Sequence, residues 1–268
     1  MELFARELGA KGPVMVIVHG LYGESDNWLS VARQFENDYR IILPDQRNHG
    51  QSPHNKSHSY EAMANDLLEL IRSKTNEKVI LVGHSMGGKT VMRLALENPE
   101  IVSKLVVLDI APKDYGTFSN FAQTTTNHLK ILDSLIQIPI DKMSNRGEMD
   151  RALANDLPSK KLRQFLLKNV KRNKEGGYSW QLNLPVLKEE MPEIMDGFSN
   201  IQPINSNGSF PVFLIRGEQS PYVADEDTLV FNRFFPGTQM VTIPDAGHWL
   251  HADQPELFIK TLRYLIED

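Results

Sequence analysis

The chain has no cysteine. That excludes disulfide bridges, thiolate-held metal sites and a cysteine nucleophile. It also lacks any apolar stretch that approaches the length of a membrane span. Excess positive charge is missing too: the formal net charge is -5, so nothing global marks a nucleic-acid binder or a protein drawn to anionic membranes. The N-terminal stretch MELFARELGAKGP shows no basic segment followed by an apolar run, and the expected compartment is the cytoplasm. There is no internal repeat and no low-complexity segment. With 268 residues, 41% of them hydrophobic, the chain can still bury a sizeable core.

What is present is a series of short apolar runs: VMVIVHG (14–20), YRIILPD (39–45), KVILVGH (78–84), SKLVVLD (103–109), FPVFLIRG (210–217) and TQMVTIPD (238–245). Their density of Val, Ile and Leu fits strands buried on both faces, as in a parallel sheet. Helix-like segments alternate with them. Residues 26–35 follow the first run, 60–71 place Met63, Leu67, Leu68 and Ile71 along one face, and 90–96 follow the third run. A C-terminal segment opens at Pro255 and carries Phe258, Leu262 and Leu265 at helical spacing. The alternation predicts an α/β fold with helices on both faces of the sheet. From 112 to 208 no buried strand is predicted, and the region reads as several helices with polar loops, slightly basic where the remainder is acidic. The predicted organisation is a core of 1–111 and 209–268 interrupted by a helical insertion at 112–208.

The sharpest local signal is VILVGHSMGGKT, in which a buried strand runs into Gly83-His84-Ser85-Met86-Gly87 and then a helix. This is G-x-S-x-G in strand–turn–helix context. A turn that tight leaves no room for side chains two residues before and after the serine. Ser85 is thereby expected at the C-terminal edge of the sheet, beside a helix N-terminus that favours an anion. A serine hydroxyl needs a base. Of the eight histidines, His54, His58 and His128 lie in polar stretches without strand-end context, and His19 and His84 are built into glycine turns. His248 follows the last core run in PDAGHWLH, after the serine in chain order, and Gly247 lets the loop deliver its side chain. His251 is the rival, three residues on.

HGLYGESDNW, DQRNHGQSPH, GHSMGGK and PDAGHW together resemble the α/β-hydrolase superfamily. LDIAPKDY, RGEQSPYV and YSWQLNLPVL narrow the resemblance to the small bacterial esterases of the YbfF type and their mitochondrial relatives. The resemblance runs nearly end to end. It implies the α/β-hydrolase fold, with a mostly parallel central sheet and a helical cap. It also raises a question about the acid that orients the imidazole: where many members offer a carboxylate after the strand ending at Gly217, this chain has Ser220. Several carboxylates qualify by position. Glu218 lies near the usual place, Asp225 and Asp227 fall in an expected first helical turn where acids are ordinary dipole partners, and Asp245 is only three residues from His248. Asp109, at the end of LVVLD, is a lone carboxylate emerging from an apolar strand, which is costly to bury unless paired. Asp109 is the expected acid, with a turn cap as its bland reading. The resemblance agrees, and it implies that Ser220 joins as a fourth member by donating to the Asp109–His248 pair. The other reading of Ser220 is a turn residue ahead of Pro221.

On fold and resemblance, the oxyanion donors are expected to be the backbone N–H of Met86 and that of Leu21 in VHGLYG. The box DQRNHGQS (45–52), His49 included, reads as structural. The implied chemistry is acyl transfer from a small-molecule ester or thioester to water, with no metal or organic cofactor. Other uses of the same residues stay open: carbon–carbon bond hydrolysis, cofactor-free perhydrolysis, or a non-enzymatic ligand receptor on a hydrolase scaffold. A serine nucleophile argues against the haloalkane dehalogenase and epoxide hydrolase members, which use aspartate.

In the insertion, Trp180, Leu182, Leu184 and Leu187 either line an acyl pocket or pack the cap onto the core, and Phe118, Phe121 and Trp249 pose the same choice. The segment SKKLRQFLLKNVKRNK (159–174) contains no acid. As one helix it puts Leu162, Phe165, Leu166 and Val170 on one face and Lys160, Lys161, Arg163, Lys168, Lys171 and Arg172 largely elsewhere. Such a face is either simply solvated or attracts a polyanionic leaving group such as the phosphates of coenzyme A.

Overall fold

The computed structural model describes residues 1–116, 119–196, 198, 201 and 210–267, and at 119–123 and 125 the backbone only. The described residues form nine strands: β1 (Ala5–Leu8), β2 (Val14–Val18), β3 (Arg40–Pro44), β4 (Val79–His84), β5 (Val102–Leu108), β6 (Val170–Arg172), β7 (Tyr178–Trp180), β8 (Val212–Gly217) and β9 (Gln239–Ile243). The helices are α1 (Leu29–Ala32), α2 (Tyr60–Lys74), α3 (Met86–Glu97), α4 (Ser119–Gln137), α5 (Arg146–Leu153), α6 (Lys160–Leu166), α7 (Leu184–Glu189), α8 (Met191–Met195), α9 (Asp227–Phe234), α10 (Leu250–Asp253) and α11 (Pro255–Glu267).

Seven strands make one sheet in the order β1-β3-β2-β4-β5-β8-β9. All of its pairings are parallel except β1 with β3, which is antiparallel. Every residue of β2 and of β4 is buried. Alternate side chains leave opposite faces of a strand, so β2 feeds two cores. Val14, Val16 and Val18 join the cluster that includes Met63, Leu67 and Val91 of α2 and α3. Met15 and Ile17 join the cluster that includes Val31, Phe258 and Leu262 of α1 and α11. The fold is the α/β-hydrolase fold, with helices flanking a mostly parallel sheet and a helical region inserted between β5 and β8. Among the described residues no helix is long and apolar enough to cross a membrane.

Three features depart from the sequence reading. The edge strand β1, AREL, is half-buried and half-charged, so it gives no apolar run; charge on an edge strand blunts further pairing. The insertion is not purely helical, because β6 and β7 pair as a short antiparallel ribbon. Each has three residues and all but Val170 are at least partly exposed. The basic segment is not a single helix either. Helix α6 ends at Leu166, a 3-10 turn spans Leu167–Asn169, and Val170 already belongs to β6. Asn169 Nδ2 donates to the Leu166 carbonyl at 3.1 Å, a local side-chain bond that competes with helix continuation.

Candidate active site

The C-terminal edge of the sheet gathers the expected residues. Ser85 follows β4, Asp109 follows β5, Ser220 follows β8, His248 follows β9 and Leu21 follows β2. Ser85 sits in the turn between β4 and α3 with φ 54° and ψ -122°, a left-handed conformation that a non-glycine residue adopts only when its surroundings impose it. They do so by close approach. A Cβ on Gly83 would lie 2.4 Å from the Gly87 carbonyl oxygen, and one on Gly87 would lie 2.4 Å from that of His19. The Ser85 N–H donates to the Leu108 carbonyl at 3.1 Å, which fixes the turn to β5.

Asp109 is fully buried and, like Ser85, has a positive φ of 52°. Its carboxylate is well partnered. Oδ1 accepts the Gly217 N–H at 3.0 Å, and Oδ2 accepts both the Ser220 hydroxyl and His248 Nδ1, the latter at 2.7 Å. Because a carboxylate only accepts, Nδ1 of His248 must carry the proton of that bond, which leaves Nε2 with its lone pair. His251 takes no part: its ring stacks on Trp28 with centroids 4.3 Å apart. Glu218 faces elsewhere and accepts the Asp245 N–H at 3.1 Å. Asp225 pairs with Arg216. Asp227 accepts from Lys113 at 2.6 Å and from the Ala224 N–H at 2.8 Å.

The imidazoles around His248 are held neutral. Burial lowers His84 well below the ordinary histidine value, and its Nε2 bonds the His248 carbonyl at 2.8 Å. Burial, then the nearby His248, pushes His251 and His128 down to about 4. The 45–52 box is a lattice of buried polar bonds. Gln46 N–H donates to His19 Nε2 at 2.9 Å, Tyr22 N–H donates to His49 Nε2 at 3.2 Å, and Asp45 accepts the backbone N–H groups of Ser25 and Gln51 at 2.6 and 2.8 Å. An amide donor on Nε2 of each ring requires neutral His19 and His49, with Nδ1 facing the Gly20 and Arg47 carbonyls, and burial lowers both.

Ser85, His248, Leu21 and Met86 all line one cavity of about 380 Å³, within the size range of small-molecule sites. Its apolar wall includes Ile110, Ile131, Leu162, Phe165, Ile194 and Trp249. Trp180, Leu182, Leu184 and Leu187 do not line it. The three leucines are buried in the cluster that joins cap and core, and Trp180 Nε1 donates to the Leu135 carbonyl at 3.2 Å. Phe118 lies outside the described residues, as does the side chain of Phe121. Among the described residues no group of three or more His, Asp or Glu side chains is placed to hold a metal ion.

Several residues at the cavity carried no signal that singled them out in the sequence. Lys89 is buried, donates to the Met195 and Asp196 carbonyls, and is pushed down to about 7 chiefly by burial. His128 reaches the cavity from α4 and touches the hydroxyls of Tyr22 and Tyr222. The only hint for His128 is that Thr124, His128 and Ile131 share one helical face, and all three line the cavity.

A family profile for the alpha/beta hydrolase fold matches residues 13–255. The chain is 36% identical over 254 residues to a protein of Mus musculus described as an sn-1-specific diacylglycerol lipase, ABHD11, covering 92% of this chain and 78% of the relative. It is 34% identical over 256 residues to the esterase YbfF of Escherichia coli strain K12, covering 95% and 93%. A solved structure described as a marine microorganism esterase superposes with a TM-score of 0.92 at 41% identity, covering 98% of this chain and 99% of the other. The chain belongs to the α/β-hydrolase family.

Proposed function

We propose that this chain is a serine esterase that cleaves carboxylic esters, and thioesters of similar acyl groups, through an acyl-serine intermediate. The observation that carries the reading is the 2.7 Å bond from His248 to buried Asp109, at the wall of the cavity that also holds Ser85. The relatives described as esterases and as a lipase, each similar over most of the chain, support the same bond type.

In this reading His248 Nε2 takes the Ser85 hydroxyl proton as Oγ attacks the substrate carbonyl carbon. The Leu21 and Met86 amides hold the oxyanion at the largely apolar wall of the cavity, where such donors contribute more than in water. Protonated His248, stabilised by Asp109, gives its proton to the departing alkoxide or thiolate, and an acyl-Ser85 remains. His248 then takes a proton from water as the water oxygen attacks the acyl carbon, and collapse releases the acid and restores Ser85. Ser220 keeps Asp109 Oδ2 anchored while the imidazole charge changes.

Acyl-CoA thioesters belong to the proposed substrate range. Lys161, from the cap, stands over Trp249 at the cavity wall with its ammonium 5.5 Å from the ring, and it pairs with Asp253. Lys160 and Lys168 add charge nearby in sequence. Arg163, by contrast, is buried and bound to Asp150 at 2.8 Å, so it belongs to the cap's interior. Stopped-flow hydrolysis of a p-nitrophenyl ester tests the reading. An acyl-enzyme that accumulates gives a nitrophenolate burst equal to the enzyme concentration, and single-turnover mass spectrometry finds the acyl group on Ser85. A ligand receptor on the same scaffold gives neither.

A further inference from the structure

Helix α4 of the cap sets His128 between two tyrosines that belong to opposite sides of the site. Its Nδ1 is 3.2 Å from the Tyr22 hydroxyl, and its Nε2 is 3.5 Å from the Tyr222 hydroxyl. Tyr22 directly follows Leu21 and has a positive φ of 63°. Its N–H is held by His49, and its carbonyl accepts Asn169 Nδ2, from the cap, at 2.8 Å. Tyr222 stacks on His248 with ring centroids 4.0 Å apart and planes 20° from parallel. Its N–H donates to Ser220 Oγ at 3.3 Å, and its carbonyl accepts the Tyr115 hydroxyl at 2.8 Å. Both tyrosines are thus fixed at the backbone by the core or cap, and both hydroxyls meet the His128 imidazole, with the His128 carbonyl a further acceptor for Tyr22 at 3.5 Å.

We propose that His128 is a positioning residue for the acyl-transfer site, bridging the Tyr22 and Tyr222 hydroxyls so that the oxyanion loop and the His248 ring are held in one frame by the cap. This rests on the acyl-serine reading and deepens it. A neutral imidazole has one N–H and one lone pair, so it accepts from one phenol and donates to the other. Desolvation, and then the proximity of His248, pushes His128 down to about 4, which keeps it in that neutral form at pH 7. The remaining wall of the cavity is largely apolar, and each phenol hydroxyl needs a partner there. A reaction that develops charge on both the oxyanion and the imidazole gains from a frame that does not reorganise.

The test measures the rate constant for labelling of Ser85 by a fluorophosphonate, alongside kcat and KM for an uncharged ester. His128→Phe, which keeps an aromatic ring, removes both imidazole bonds and leaves only the 3.5 Å contact of the Tyr22 hydroxyl with the backbone carbonyl, is expected to label about tenfold more slowly, the fold-change for one to two neutral hydrogen bonds. The loss should fall on kcat more than on KM. His128→Gln, which can both donate and accept, should recover to within about threefold of the parent. In a Tyr22→Phe, Tyr222→Phe background, His128→Phe should add no further loss, since the bridge is already gone. Parent-like labelling by folded His128→Phe, or a full additional loss in the double-phenylalanine background, overturns the proposal. Absence of labelling at Ser85 in the parent chain is a different result, and it overturns the acyl-serine reading instead.

Discussion

Ser220 donates its hydroxyl to the same oxygen of Asp109 that engages His248. The two residues follow neighbouring parallel strands, β5 and β8, so the loop that could have carried the acid instead supplies a neutral donor to an acid one strand away. Asp109→Asn is expected to keep the fold and lower ester turnover by several orders of magnitude, since the comparable change in a serine protease costs about 10⁴. Glu218→Gln, on the outward side of the same loop, should stay near parent activity. Ser220→Ala should lose about tenfold, the scale of one hydrogen bond. Steady-state kinetics of the three variants decides the assignment, and a crippled Glu218→Gln beside an active Asp109→Asn would move the acid elsewhere.

For the nucleophile the expected result is simple. Ser85→Ala should fold with a parent-like melting temperature, lose fluorophosphonate labelling and lose ester turnover. Labelling that survives in this variant would place the reactive hydroxyl at another residue.

Gly87→Ala tests the turn without removing a polar side chain. Its methyl would lie 2.4 Å from the His19 carbonyl oxygen and 2.5 Å from that of Val18, both backbone atoms that cannot step aside. A destabilisation of at least about 2 kcal/mol is expected, together with loss of labelling at Ser85. Urea denaturation gives the first quantity. A variant as stable as the parent would show the turn to be looser than these contacts require.

Burial pushes His58 from 6.5 down to about 3, between Asn48 Nδ2 and Met86 Sδ. Between those values the unfolded chain binds the proton and the folded chain does not, so stability is full above about 6.5 and falls as pH drops towards 3. His49 and His84 are lowered in the same direction. The urea midpoint should therefore be lower at pH 4.5 than at pH 7, and His58→Gln should shrink that gap without abolishing it. An unchanged gap would show that His58 contributes nothing to it.

Coenzyme A substrates give a charge test. Turnover of an acyl-CoA at low substrate should fall as salt rises, whereas an uncharged ester of equal chain length should respond little. Replacing Lys160, Lys161 and Lys168 by glutamine should reproduce that selective loss. Equal salt responses for both substrates would leave these lysines as ordinary surface charge.

Five of the six apolar runs were readable because both faces of the sheet are covered there, which forces near-continuous Val, Ile and Leu; the sixth forms the edge strand β9, in which only Ile243 is buried. Strand β1 was not, because an edge strand with one half-buried face needs no such run. Ser85 and His248 were legible because glycine turns mark them, and Asp109 because a single charge ends an apolar strand. His128, Lys89 and Asn169 carried no comparable mark. Their positions depend on how α4, α6 and α8 fold back over the sheet, and on bonds between residues more than a hundred positions apart, such as Lys89 with Met195 and Asn169 with Tyr22. The leucines of α7 left two readings open for a related reason: an apolar side chain in a cap serves equally well as pocket wall or as packing, and only the cap's orientation separates the two.

The insertion leaves the sheet after β5 and returns at β8, and those strands are parallel neighbours. Parallel neighbours can never be joined by a tight turn, so a long crossover is required there in any case. The cap occupies a connection the topology already demands, and it can grow, shrink or be exchanged without altering strand order or register. Cap and core are joined along the chain at Ile110 to Tyr115, where Tyr115 binds the Ala111 N–H and the Tyr222 carbonyl, and they are tied again through space where Asn169 donates to Tyr22 and Lys89 donates to Met195.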